Sequence, residues 1–152
     1  MDAGQRFPDF ELPDQDGKTR TLANLAGPKG LVLYAYPKDD TPGCTVEAKD
    51  FRDLLPRFRE AGFEVAGLSP DGASSHCDFI GKYELTFPLL SDPDLSCMTS
   101  VGAYGEKTMY GKTVTGVIRS TFAVAPDGTV IQAWHNVRAK GHAQRVLDAV
   151  TG

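Results

Sequence analysis

Gly30-Leu31-Val32-Leu33-Tyr34-Ala35-Tyr36 leads through Pro37-Lys38-Asp39-Asp40 into Thr41-Pro42-Gly43-Cys44-Thr45 and on to Val46-Glu47-Ala48-Lys49-Asp50-Phe51-Arg52-Asp53-Leu54-Leu55. The first run is apolar and bounded by glycine and proline, which reads as a buried strand. In the last run Val46, Phe51, Leu54 and Leu55 recur at helical spacing. Cys44 therefore falls where a core strand gives way to the first turn of a helix. Unpaired N–H groups and the positive end of the helix dipole converge there, and both favour thiolate over thiol. The sequence predicts a nucleophilic cysteine. The competing reading is a small buried hydrophobe, the usual fate of a free cysteine. Pro42 fixes one φ angle, Gly43 admits close approach to the backbone, and Thr41 offers a hydroxyl that can donate or accept.

The chain has 152 residues, enough to bury a full core in one domain, expected to span 1–152. Net charge is −4 with Lys and Arg scattered, which argues against a nucleic-acid partner. No apolar run approaches the ~18 residues of a membrane span. The first residues, Met1-Asp2-Ala3-Gly4-Gln5-Arg6, lack the apolar stretch of a signal peptide, so a cytoplasmic location is expected. Cys44, Cys77 and Cys97, odd in number and widely spaced, do not read as a secreted disulfide framework.

Along the chain, 9–12 and 18–22 flank Pro13-Asp14-Gln15-Asp16-Gly17, an expected N-terminal hairpin. The helix after Cys44 meets Pro56 and should break or kink near Leu54–Leu55, leaving a short second helix over 57–61. A strand is expected over 63–68 and a helix over 74–83, capped from among Asp71, Ser74 and Ser75. A short extended segment over 87–90 and a weak helix over 94–101 follow. Residues 102–116 carry four glycines and no firm period, and they read as a long surface loop. Strands over 117–124 and 129–134 pair across Pro126-Asp127-Gly128. An amphipathic helix over 142–150 turns Val146, Leu147 and Val150 inward, with His142 at its surface or cap. The pattern alone supports an α/β domain with one sheet layer and helices on both faces.

Pro37-Lys38-Asp39-Asp40-Thr41-Pro42-Gly43-Cys44 resembles the Pro-x-x-x-Thr-x-x-Cys signature of peroxiredoxins. Tyr36, Thr45 and Glu47-Ala48 bring it close to the bacterioferritin-comigratory-protein branch, or peroxiredoxin Q. So do Ser91-Asp92-Pro93-Asp94, 105–112 and Arg119-Ser120-Thr121-Phe122. The resemblance implies a thioredoxin-like fold with a central mixed β-sheet flanked by helices and an N-terminal β-hairpin. It implies a thiol peroxidase for hydrogen peroxide and alkyl hydroperoxides, a monomer reduced by a thioredoxin-type protein, with no cofactor or metal. Cys44 would be the peroxidatic cysteine, with Pro37, Thr41, Gly43 and Arg119 lining the substrate site. In composition alone Arg119 is an arginine in an apolar strand, pointing either to water or at a site; the resemblance favours the site. Pro37 and Pro42 would shield the sulfur, and Glu47 reads as an acid stabilised by the helix dipole.

Many members carry a second cysteine five residues after the first, where this chain has Lys49. Others carry it on the helix over 74–83, about one turn beyond Cys77. Cys77 is thus the expected resolving cysteine, in an atypical 2-Cys cycle with an intramolecular Cys44–Cys77 disulfide. A one-cysteine cycle closed by an external thiol and resolution by Cys97 stay open, as does a core position for Cys77 beside Phe79, Ile80 and Tyr83. Three other functions are weighed beside these. A module that only senses peroxide shares the first chemical step. Metal binding by Cys44, Cys77, Cys97 and His76 lacks any ligand spacing. A cysteine hydrolase would need a histidine base from His76, His135 or His142, and none is placed for it by the sequence.

Overall fold

Every residue of Gly30–Ala35 is buried, as a strand covered on both faces requires. The computed structural model describes residues 1–151; Gly152, the end of the expected single domain, and the side chain of Met109 lie outside the described residues. In chain order the elements are β1 (Leu12–Pro13), β2 (Thr19–Arg20), α1 (Leu22–Leu25), β3 (Gly30–Ala35), α2 (Pro42–Glu60), β4 (Phe63–Ser69) and α3 (Ala73–Tyr83). They continue with β5 (Leu89–Ser91), α4 (Ser96–Ser100), β6 (Tyr104–Met109), β7 (Lys112–Val117), β8 (Ser120–Val124), β9 (Val130–Trp134) and α5 (His142–Thr151). Five strands form one sheet in the order β5-β4-β3-β8-β9. β3, β4 and β5 run parallel, and β8 and β9 are antiparallel additions.

Side chains alternate across β3, so the strand seeds two cores. Leu31, Leu33 and Ala35 pack with Phe7, Phe10, Met98 and Phe122 on one face. Val32, Tyr34 and Tyr36 pack on the other with Phe51, Leu55 and Phe58 of α2, Phe79 of α3, and Val146 and Leu147 of α5. Gly30 has φ +143°, and a Cβ there would lie 2.1 Å from the carbonyl oxygen of Val124. Only glycine lets β3 start this close beneath β8. The N-terminal hairpin is present as β1 and β2, paired Leu12 to Arg20. Thr21 and Asn24 then form a capping box for a single turn, α1, within the stretch expected to be strand and connector.

Three expectations are corrected. The helix does not break at Pro56: α2 runs unbroken over Pro42–Glu60. Pro56 is exposed, while Leu55 and Phe58 on either side of it are buried, so the core keeps both halves in one helix and solvent can hydrate the freed carbonyl. The expected loop over 102–116 is a β-hairpin, β6 with β7, pairing Tyr104 to Val117 and Thr108 to Thr113. Its turn residues Tyr110 and Gly111 both have positive φ, the tight hairpin geometry. Lys112 to Thr115 are all exposed, so no buried period marks β7 in the sequence. Finally, α3 has Gly72 as its N-cap with no side-chain cap, because the Asp71 carboxylate accepts from the backbone N–H of Asp39 instead.

The unbroken α2 predicts that Pro56→Ala stabilises the protein. Proline in a helix interior costs up to about 3 kcal/mol against alanine, less about 1 kcal/mol for the freer unfolded chain. Denaturant unfolding should show a net gain of about 1–2 kcal/mol on this basis. No gain would mean that the helix bends at that position in solution.

Candidate active site

Cys44 is the third residue of α2, after Thr41 as N-cap and Pro42 at the first helical position. The first helical bond runs from the Thr45 N–H to the Thr41 carbonyl, 2.8 Å. Pro42 has no N–H, so the amides of Gly43 and Cys44 are the ones this end leaves for a ligand. The thiol itself is almost wholly buried, 1% exposed.

Arg119 completes the site from across the sheet. It lies in the two-residue link between β7 and β8, not in a strand as its apolar neighbours suggested. Its Nη2 donates to Cys44 Sγ at 3.2 Å and its Nη1 to Glu47 Oε1 at 2.5 Å. Glu47 is fully buried and belongs to the second turn of α2, past the reach of the helix dipole. Its partner is therefore the guanidinium. Burial pushes the Glu47 carboxyl up to about 7, and Arg119 pulls it only partly back. Burial, with the Glu47 charge beside it, also raises the Tyr34 phenol well above its ordinary value. A Cβ on Gly43 would come within 3.4 Å of Arg119 Nη2, so the missing side chain leaves that face of the guanidinium uncovered.

The remaining expected residues are placed differently. The Thr41 hydroxyl donates to the Lys38 carbonyl at 2.9 Å and makes no hydrogen bond to the Cys44 sulfur. Pro37 and Pro42 are exposed. Cys77 is exposed on α3, not a core residue, and its Sγ donates to the Gln15 carbonyl of the N-terminal hairpin at 2.9 Å. Cys97 is buried, and burial beside Asp92 pushes its thiol up to about 12. Asp92 caps α4, accepting from the backbone N–H groups of Cys97 and Met98.

The histidines hold surprises. His142, expected at the surface, is fully buried and bonds Thr121 Oγ1 at 2.8 Å through Nε2. His76 is equally buried, between Asp39 and the Leu90 carbonyl. No hydrogen bond from His76, His135 or His142 reaches Cys44. Among the described residues there is no group of His, Cys, Asp and Glu that could hold a metal ion. No described helix is long and apolar enough to cross a membrane.

A cysteine at a helix start, bonded by an arginine that the neighbouring antiparallel strand delivers to the same end of the sheet, defines a thiol-redox enzyme of thioredoxin-like fold. The AhpC/TSA family matches residues 3–133. A Mycobacterium tuberculosis relative named as a peroxiredoxin is 51% identical over 94% of this chain and 90% of its own. Peroxiredoxin Bcp of Xanthomonas campestris is 46% identical over 93% of this chain and 89% of its own. A structure of a Xanthomonas campestris peroxiredoxin Q mutant superposes with a TM-score of 0.88 at 44% identity, covering 99% of this chain and 98% of that one. A complex of the Xanthomonas campestris bacterioferritin comigratory protein, described for alkyl peroxide reduction, gives 0.85 at 45% identity over 93% and 90%. The chain belongs to the peroxiredoxins, in the bacterioferritin-comigratory or peroxiredoxin Q branch, and is a thiol peroxidase.

The buried His142 carries a pH signature. Burial, with Arg145 and Arg119 adding, lowers it from 6.5 to about 4. The fold favours the neutral ring, so this stability is full above pH 6.5 and is lost as pH falls through 4. Urea titrations should show the wild type losing roughly 1–3 kcal/mol more than His142→Gln over that window. Parallel losses in the two proteins would show that His142 is already charged in the fold.

Proposed function

We propose that Cys44 is the peroxidatic cysteine of an atypical 2-Cys cycle and that Arg119 is the group that activates it. The observation that carries this reading is the 3.2 Å hydrogen bond from Arg119 Nη2 to Cys44 Sγ at the start of α2. The thiolate attacks one oxygen of the peroxide, the O–O bond breaks, and the departing oxygen leaves as water or an alcohol after taking a proton. Sulfur keeps the other oxygen as sulfenic acid. Charge grows on the departing oxygen in that step. Arg119 and the Gly43 and Cys44 amides are already aimed where it grows, so they need little rearrangement to stabilise it. Thr41 turns its hydroxyl from Lys38 to the peroxide, and Pro37 and Pro42 keep bulk water off the sulfur. The exposed rim at Pro37, Pro42 and Gly43 leaves room for the organic group of an alkyl hydroperoxide beside hydrogen peroxide.

Resolution falls to Cys77. It is the one exposed thiol of the three, whereas Cys97 is both buried and raised to about 12. The Cys77 thiol attacks the sulfenic sulfur, an S–S bond replaces the S–O bond, and water leaves. A thioredoxin-type dithiol then reduces the disulfide and becomes oxidised itself. Three free cysteines suit a reducing compartment, here the cytoplasm. The chain works as one domain and as a monomer: among the described residues the exposed large hydrophobics, Val46, Tyr110, Val114 and Ile131, are divided among α2, the β6–β7 hairpin and β9.

Rapid mixing of Cys44→Ser with peroxide should show no consumption, with the fold retained. Arg119→Lys keeps the charge but loses the fork. It should slow the peroxide step by about 10²-fold, as loss of an oxyanion donor does. A peroxide step at the wild-type rate would remove Arg119 from the mechanism. Mass mapping after one equivalent of hydrogen peroxide should join Cys44 to Cys77. A Cys44–Cys97 bond or only intermolecular bonds would replace Cys77 as the resolving thiol.

A further inference from the structure

Asp39 and Asp40, in the loop between β3 and Cys44, grip α3 from end to end. The Asp39 side chain is only 3% exposed. Its Oδ2 accepts from His76 Nδ1 at 2.7 Å and from Ser75 Oγ at 2.8 Å, and its Oδ1 from Tyr36 OH at 2.5 Å. The other ring nitrogen of His76 faces the Leu90 carbonyl of β5 at 3.0 Å. The ring thus sits between two acceptors, each within hydrogen-bond distance of one ring nitrogen. At the far end of α3, Asp40 accepts from Lys82 Nζ at 2.8 Å and Tyr83 OH at 2.7 Å. Asp40 holds a left-handed φ of +57° to do so, a conformation that a non-glycine residue keeps only when its surroundings enforce it.

None of these groups touches Cys44, and the peroxide chemistry uses none of them. They tie the loop that positions the nucleophile to the helix that carries Cys77. We propose that Asp39 and His76 are positioning residues forming a latch: closed, it holds α3 folded while Cys44 meets peroxide; open, it frees Cys77 to reach the sulfenic acid. The proposal rests on the reading of Cys77 as the resolving thiol. Two thiols joined in a disulfide have Cα atoms within roughly 7 Å. Here Cys77 is exposed and bonded to Gln15, whereas Cys44 is buried and bonded to Arg119. Part of the chain must move between the two steps, and α3 cannot leave its place without separating His76 from Asp39. Because hydrogen bonds this deeply buried are costly to leave unmade while the fold is intact, the latch sets how long the sulfenic acid waits. A long wait exposes it to a second peroxide and to the sulfinic form.

Two near-isosteric substitutions split the two bonds of the ring. His76→Asn keeps a donor where Nδ1 meets Asp39; His76→Gln keeps one where Nε2 meets Leu90 and loses the latch. The reduced enzyme is mixed with one equivalent of hydrogen peroxide, quenched with an alkylating agent, and mapped by mass for sulfenic acid, disulfide and sulfinic acid. His76→Gln should form the disulfide about tenfold faster or more, the scale of a lost hydrogen bond to a charge. It should also need correspondingly more peroxide for half-conversion to sulfinic acid. His76→Asn should stay near wild type, and the peroxide step itself should change little in either. Hydrogen exchange of the 73–83 amides in the reduced enzyme should quicken in His76→Gln and not in His76→Asn. Asp39→Asn, which removes the charge and keeps the shape, should move both quantities in the same direction as His76→Gln. Wild-type disulfide rates and unchanged exchange in His76→Gln and Asp39→Asn would overturn the latch. If wild type forms no Cys44–Cys77 bond, the resolving assignment fails on its own, and the exchange comparison still decides whether the latch exists.

Discussion

The site depends on a single buried charge pair, Glu47 with Arg119. Glu47 is wholly buried and the Arg119 side chain is 16% exposed, so neither charge can rely on water. A buried charge without a partner is among the costliest features a fold can carry. The pair therefore fixes how α2 and β8 approach one another. Strand register delivers both halves. β8 pairs antiparallel to β3 with Ser120 opposite Ala35, at the end of β3 from which the chain passes to α2. Arg119, one residue before Ser120, is thereby delivered to the first turns of α2. A slip of one residue would invert every side chain of β8. Glu47 takes one arm of the guanidinium, and the other is left for the Cys44 sulfur.

That arrangement separates what was legible in the sequence from what was not. The run 30–36 and the helical spacing after Cys44 are local patterns, and local patterns place Cys44 in the first turn of α2. The role of Arg119 needed the resemblance, because a charge in an apolar run looks the same whether it meets water or a carboxylate 72 residues away in the chain. Glu47 was read as a dipole-stabilised acid for the same reason. Pro56 misled because the rule against proline in helices is local, whereas the anchors at Leu55 and Phe58 are tertiary. The β6–β7 hairpin escaped because its second strand is exposed on both sides until Gly116 and Val117, which erases the alternation that marks a half-buried strand. His142 and His76 gave no signal of burial at all. Their partners, Thr121 and Asp39, lie 21 and 37 residues away in the chain.

The two helices that carry accessible or reactive thiols are held by different physics. α2 buries Cys44, Glu47, Ala48, Phe51, Leu55 and Phe58, and its aromatic rings stack against β3, with Tyr34 and Phe51 centroids 4.6 Å apart. Separating it from the sheet would expose large apolar surface at once. α3 buries only His76 and Phe79. Ile80 and Tyr83 pack half-buried against the same core, and the remaining attachment is polar: Asp39, Asp40, the Leu90 carbonyl, and Arg52 donating to the Tyr83 carbonyl at 2.7 Å. Water can replace hydrogen bonds one by one, at a modest net cost for each, but it cannot replace apolar packing. Of the two helices, α3 is thus the one whose local opening costs less. Cys44 sits on the element that the hydrophobic effect immobilises, and the exposed Cys77 on the element held in larger part by polar contacts. A peroxide site needs the first kind of attachment, since its donors must not move as charge develops. A thiol that has to travel needs the second.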